Sequence, residues 1–255
     1  MTKIELRNIR KNFAGKQVLK NVNLSVSEGE TLVVIGCSGC GKSVMLKHIV
    51  GLLKPDGGRV FIDGEDITGL GEHALFGIRN KFGFLFQGAA LLDSLTVGEN
   101  VGLGLTELSE LSAEKIRSIV HEKLSMVGMA DIEDIMPAEL SGGMKKRVGL
   151  ARAIAMEPEI VLYDEPTTGL DPVMADSINE LILFLKQELK ITSVVVTHDM
   201  TSARKVGDRI AMLHDGEIIF CGTIPELDRT DNPVVKQFIE GRSEHIFTRT
   251  ADALS

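Results

Sequence analysis

Nowhere in its 255 residues does the chain gather the roughly 18 consecutive apolar residues that a membrane-crossing helix needs. The longest apolar candidate, FGFLFQGAALL at 82–92, is short and is interrupted by Gln87. The opening MTKIELRNIRKNF has no apolar stretch of the kind a signal peptide carries, so it predicts neither export nor an anchor. Basic charge is short as well: 28 Lys and Arg stand against 36 Asp and Glu, a net charge of −8. That balance excludes the electropositive footprint of a DNA- or RNA-binding protein and argues against direct adsorption on an anionic bilayer. Cysteine is scarce and odd in number, at three, which predicts reduced thiols in a cytosol rather than a disulfide framework. There is no internal repeat and no low-complexity tract. If the protein serves a membrane, it does so through a partner.

What the chain does have is ordinary globular material. An apolar fraction of 44% and a charged fraction of 25% suit a soluble domain with a sizeable core. KIELRNI and VLKNVNLSV alternate as strands do, broken by a turn at 14–17. TLVVI at 31–35 is fully apolar and suits a buried strand, and VMLKHIVGLL after it reads as a helix. RVFIDG and KFGFLF predict further strands. From about 94 to 156 the pattern turns helical: Thr96 and Glu99 have capping-box spacing, Ser112 precedes a periodic run, and 144–156 is a third helix. Parallel-sheet signals then return in EIVLYDE and TSVVVTHD, separated by a helix opening at Asp171-Pro172. A hairpin turns at Asp215-Gly216, and a last short helix opens at Asn232-Pro233.

The chemistry starts at GCSGCGKS, residues 36–43, which holds two patterns. Cys37 and Cys40 form a C-x-x-C, but a structural zinc site needs four ligands and only Cys221 remains. A redox pair is thinkable at a helix N-terminus; small side chains that fit a tight loop are the simpler reading. Gly36, Gly41, Lys42 and Ser43 form G-x-x-x-x-G-K-S between a strand and a helix, the full context a phosphate-cradling loop requires. Glycines let backbone N–H groups turn inward, and the helix N-terminus adds a dipole favourable to anions. Lys42 is suited to reach β- and γ-phosphates and Ser43 to hold Mg²⁺. In IVLYDE, Asp164 ends an apolar strand in a place to support the Mg²⁺ shell, and Glu165 follows as a candidate to polarise water.

LSGGM at 140–144, ahead of IVLYDE, resembles the signature sequence of ABC ATPases. Gln87 after FGFLF matches that family's Q-loop, GLDP with Asp171 its D-loop, and His198 after SVVVT its switch histidine. Phe13 stands where the family places an aromatic that stacks on adenine. The resemblance covers residues 3 to about 240 and leaves 241–255 as a C-terminal tail. It implies an α/β P-loop NTPase core with an N-terminal antiparallel β subdomain and a helical lobe inserted at about 94–156. It implies ATP and Mg²⁺ as bound groups, with nucleotide contacts from Phe13, from Gly36, Cys37, Ser38, Gly39, Cys40, Gly41, Lys42, Ser43 and Val44, and from Gln87 and Asp164. Ser43, Gln87 and Asp164 are the implied Mg²⁺ residues, and Glu165 and His198 the catalytic ones. It implies also a head-to-tail homodimer, in which Ser141, Gly142, Gly143 and Asp171 of one copy reach the ATP held by the other.

Three features narrow the resemblance. Met144 replaces the usual Gln of the signature, GAALLDSLTVGENV after the Q-loop is unusually apolar, and MPAELSGGMKKRVGLARAIAMEPEIVLYDEPTTGLDP is continuous. Together with NPVVKQFIEG these resemble the ATPases of Mla/MCE-type phospholipid transport, the Mkl-like group included. That implies a permease docking on the 84–95 region, an MCE-domain partner and a small STAS-domain regulator, with the ATPase peripheral on the cytoplasmic side of the inner membrane. Other readings are an importer or exporter ATPase for an amino acid or solvent, a soluble ABC protein that remodels DNA or ribosomes, and a nucleotide-dependent scaffold. The second of these needs a further ATPase domain, coiled coil or basic linker not visible here, and an intact Glu165 and His198 count against the third.

Overall fold

The computed structural model describes residues 1–242; the tail read at 241–255 lies outside the described residues from 243 onward. The alternation of the N-terminal segments runs further than the sequence suggests, into two strands of 12 residues each, β1 (Thr2–Phe13) and β2 (Lys16–Ser27). They pair antiparallel across a turn at Ala14 and Gly15, both at positive φ. The chain continues through β3 (Thr31–Ile35), α1 (Lys42–Ile49), β4 (Gly57–Ile62) and β5 (Glu65–Asp66). Strands β2, β1, β4 and β5 form one antiparallel sheet in that order.

Then come α2 (Glu72–Arg79), β6 (Phe82–Leu85) and three helices, α3 (Val97–Leu108), α4 (Ala113–Met126) and α5 (Gly142–Ile154). The last part holds β7 (Ile160–Asp164), α6 (Pro172–Leu189), β8 (Thr192–Thr197), α7 (Met200–Val206), β9 (Arg209–His214), β10 (Glu217–Thr223), α8 (Ile224–Asp228) and α9 (Pro233–Ile239). The second sheet has the order β10-β9-β3-β8-β7-β6; its neighbours are parallel except for the β9–β10 hairpin. This is the α/β architecture the resemblance implies, with an antiparallel sheet beside it and a helical insertion between β6 and β7.

Side-chain period explains the layering. In β3, β7 and β8 every residue is buried, as expected where both faces of a parallel sheet are covered. Leu32, Val34, Ile160, Leu162, Val194 and Val196 pack with Ile4, Leu6 and the rest of the antiparallel sheet. Val33, Ile35, Val161, Tyr163 and Val195 face the other way, into the core shared with α3, α5 and α6. The strand ends come level, with Ile35 opposite Thr197 and Asp164 opposite Val196. Gly36, Glu165 and His198, each just past a strand end, therefore share the carboxyl edge, where open α/β sheets bind ligands.

Helix starts follow the caps read from the sequence. Thr96 Oγ1 accepts from Glu99 N–H at 3.2 Å, and Glu99 Oε2 accepts from Thr96 N–H at 2.8 Å. We expect Thr96→Ala to destabilise the protein by about 1 kcal/mol, a fall of roughly 2–4 °C in Tm at this size, measured by thermal unfolding. Ser112, Asp171 and Asn232 cap α4, α6 and α9. Three helices, α2, α7 and α8, had no reading from sequence. Helix α1 stops earlier than VMLKHIVGLL suggests, at Ile49, because Gly51 turns at φ 68.

Candidate nucleotide-binding site

Buried β3 delivers the chain into the loop at 36–41. Gly36 (φ 154) sits so close to β9 that a Cβ there would meet the Leu213 carbonyl oxygen at 2.3 Å, so only glycine lets the loop leave the strand in this direction. Gly41, at φ 106, occupies the N-cap of α1 and turns the loop into the helix. Lys42 is buried, and its ammonium donates back to the carbonyls of Gly36 (2.8 Å) and Cys37 (3.1 Å). The loop thereby curls round its own cation at a helix N-terminus, an arrangement that suits an anion.

Beside it stand the acids of β7. Ser43 Oγ donates to Asp164 Oδ1 at 2.9 Å. Burial pushes the Asp164 carboxyl above the usual carboxylate range; the Ser43 hydrogen bond opposes this and the charge of Glu165 adds to it. Glu165 adopts a left-handed backbone, φ 49, which costs a non-glycine residue on the order of 1–3 kcal/mol. Its Oε1 lies 3.5 Å from Lys42 Nζ, and its Oε2 accepts from Thr168 Oγ1 at 3.0 Å and meets His198 Nδ1 at 2.9 Å. The His198 side chain is 56% exposed against 11% for Glu165, so the imidazole covers the carboxylate from the solvent side.

A hydroxyl and a desolvated carboxylate side by side offer the hard oxygens that Mg²⁺ takes. Among the described residues no cluster of three or more His, Cys, Asp or Glu is placed to hold a metal alone, which fits an ion that is completed by substrate phosphates and water. Such an ion neutralises phosphate charge when bound.

Ser38, Gly39, Gly41, Lys42 and Ser43 line one cleft of about 380 Å³ together with Val44, Gln87, Glu165 and His198. Val18, at the start of β2, lines it too and had no reading from sequence. Phe13 is exposed at the end of β1 outside that lining, with Lys11 Nζ 5.5 Å from its ring centroid. Ser141 caps α5 by accepting from Met144 N–H, and Gly143 packs so closely on α6 that a Cβ would meet Met174 Cε at 2.3 Å. Asp171 Oδ1 accepts from Val173 and Met174 N–H, both at 3.0 Å. Ser141, Gly142, Gly143 and Asp171 all lie outside the cleft of their own copy.

Cys37 and Cys40 close a turn, with Cys40 N–H donating to Cys37 O at 3.3 Å, and both are free thiols. Burial pushes the Cys40 thiol up, against the pull of Lys42. A reactive thiol needs the opposite shift, so burial counts against redox chemistry at Cys40, while Cys37 is exposed. The apolar segment after Gln87, expected at the surface, is divided: Ala89 is 1% exposed and Leu92 is 47% exposed. Arg152 donates to Ala89 O (2.6 Å) and Ala90 O (2.7 Å), and both alanines have positive φ. Asn100, fully buried, bonds both the N–H and the carbonyl of Leu92. Neither Arg152 nor Asn100 announces this task in the sequence.

An anion cradle at the carboxyl edge of a parallel sheet, faced by paired acids at the end of β7, makes this a P-loop nucleotide hydrolase. The particular family follows from comparison: the chain belongs to the ABC transporter family, whose model matches residues 19–168. It is 41% identical over 239 residues to the probable ribonucleotide transport ATP-binding protein mkl of Mycobacterium leprae, covering 94% of this chain and 69% of that one. It is 37% identical over 241 residues to the intermembrane phospholipid transport system ATP-binding protein MlaF of Haemophilus influenzae, covering 94% and 91%. Among solved structures it resembles a dimeric ATP-binding cassette in a post-hydrolysis state, bound to ADP and Pi. That likeness has a TM-score of 0.81 and 39% identity, and covers 87% of this chain and 98% of that one. The protein is an ABC-type ATPase that binds and hydrolyses ATP.

Proposed function

We propose that this ATPase powers phospholipid trafficking in the cell envelope through a separate permease. The near full-length likeness to the intermembrane phospholipid transport protein carries this reading. Among the described residues no helix is long and apolar enough to cross a membrane; the likeness to the intermembrane phospholipid transport protein supports a peripheral place on the cytoplasmic side of the inner membrane. The 84–95 segment suits a docking surface, because Arg152 and Asn100 fix its backbone while Leu92 stays outside; exposed apolar side chains on a fixed loop favour a partner. An MCE-domain protein and a STAS-domain regulator complete the proposed assembly.

In this reading the loop N–H groups and Lys42 bind the phosphates, Phe13 stacks on the base, and Ser43, Asp164 and Gln87 hold Mg²⁺. Glu165 takes a proton from the attacking water, and His198 holds that carboxylate and water in line with the γ-phosphate. Ser141, Gly142, Gly143 and Asp171 serve the ATP of a second copy, which accords with their place outside their own cleft.

The likeness to a probable ribonucleotide transport protein favours a second reading, a different cargo on the same machine. Purification of the native complex followed by mass spectrometry of its proteins and lipids separates the two. We expect a permease and an MCE-domain protein with bound phospholipid; a complex with a solute-binding protein and no lipid would overturn the phospholipid reading.

A further inference from the structure

Lys146, on the second turn of α5, is 5% exposed, yet among the described residues no carboxylate pairs with it. Its ammonium donates instead to two main-chain carbonyls, that of Gln87 and, at 3.0 Å, that of Glu165. Burial holds it below the ordinary lysine range, with the charges of Asp164 and Glu165 opposing that shift. A desolvated cation is costly unless neighbouring dipoles and charges compensate it. An apolar residue of similar length would fill the same space at lower cost, so packing alone does not account for this side chain.

Glu165 gives the cation a task. Its backbone is left-handed, and its N–H donates to Val196 O at 2.9 Å. Its carbonyl accepts from Lys146, so the strained residue is gripped from both sides. The conformation held in this way sets the carboxylate between Lys42 and His198. The other carbonyl in the grip belongs to Gln87, whose residue lines the cleft.

We propose that Lys146 is a positioning residue for hydrolysis, fixing the main chains of Glu165 and Gln87 to α5 in one clasp. This rests on the proposed role of Glu165. Because Ser141 caps the start of α5, the clasp also ties Glu165 to the part of the lobe assigned to the second copy's nucleotide. Arrival of that copy then bears on the geometry of the base through a single buried ammonium.

The test compares Lys146→Met, Lys146→Arg and Glu165→Gln in the full chain, reading steady-state ATP turnover, affinity for a non-hydrolysable ATP analogue, and melting temperature. Misplacing a reacting group by an ångström costs up to about a hundredfold, so Lys146→Met is expected to lower kcat by about tenfold to a hundredfold. Its KM and analogue affinity should stay within about threefold of the parent, the split that marks loss at the transition state. Lys146→Arg, which keeps the charge and N–H donors for both carbonyls, is expected to recover at least about a third of the parent kcat. The proposal is overturned if Lys146→Met keeps kcat within about twofold, or if turnover, affinity and melting fall together without rescue by Arg. Should Lys146→Met not fold, Lys146→Gln replaces it under the same criteria. Normal turnover by Glu165→Gln would instead overturn the role of Glu165; an inactive Glu165→Gln beside a fully active Lys146→Met would overturn the clasp alone.

Discussion

Glu165→Gln is expected to lower ATP turnover by about 10²- to 10⁴-fold, the contribution of a positioned general base, while ATP binding persists. The amide is isosteric, and its carbonyl oxygen can still accept from Thr168 Oγ1, now at 3.0 Å from the carboxylate. What is lost is the capacity to take a proton and the negative charge 3.5 Å from Lys42 Nζ. Removing that charge beside the phosphates also lowers repulsion of the nucleotide, so the variant is expected to accumulate an ATP-bound dimer. Turnover by phosphate release and size-exclusion chromatography with ATP check both halves. Hydrolysis at the parent rate would remove Glu165 from the role of base.

The second large effect concerns binding rather than turnover. Lys42→Ala should weaken ATP affinity by about tenfold to a hundredfold, since a hydrogen bond to a charged group contributes roughly 1.5–3 kcal/mol. Lys42 is buried and the loop carbonyls of Gly36 and Cys37 accept from it. Alanine therefore removes a phosphate partner and the internal brace of the loop together. Calorimetric or fluorescent-nucleotide titration reads the outcome, and unchanged affinity would sink the assignment of the loop to phosphate.

The features legible in the sequence are those whose chemistry is contiguous. GCSGCGKS needs only its own backbone and the strand before it, and IVLYDE carries its acids at the end of its own apolar run. Capping pairs such as Thr96 with Glu99 are equally local. Lys146 could not be read in this way: in MKKRV it looks like a solvated helix charge, and only the approach of Gln87 and Glu165, far along the chain, buries it. Asn100 and Arg152 stayed silent for the same reason. Val18 enters the cleft because the antiparallel sheet packs beside the loop, a tertiary event with no local trace. The unread α2, α7 and α8 have eight, seven and five residues, and such short helices show little periodicity.

The spacing of polar side chains along α5 gives the helix a mechanical aspect. Ser141 caps its start, Lys146 grips Glu165 and Gln87 near its middle, and Arg152 holds Ala89 and Ala90 near its end. From Ser141 to Arg152 is roughly 16 Å at ~1.5 Å per residue. With Lys146 as fulcrum, a tilt of only a few degrees moves each end by a sizeable fraction of an ångström, enough to loosen a hydrogen bond. The helix is thus a lever with its two arms in different hands: nucleotide across the proposed dimer on one, the proposed permease-facing loop on the other. Its stiffness, rather than any flexible hinge, sets how faithfully a push on either arm arrives at the other.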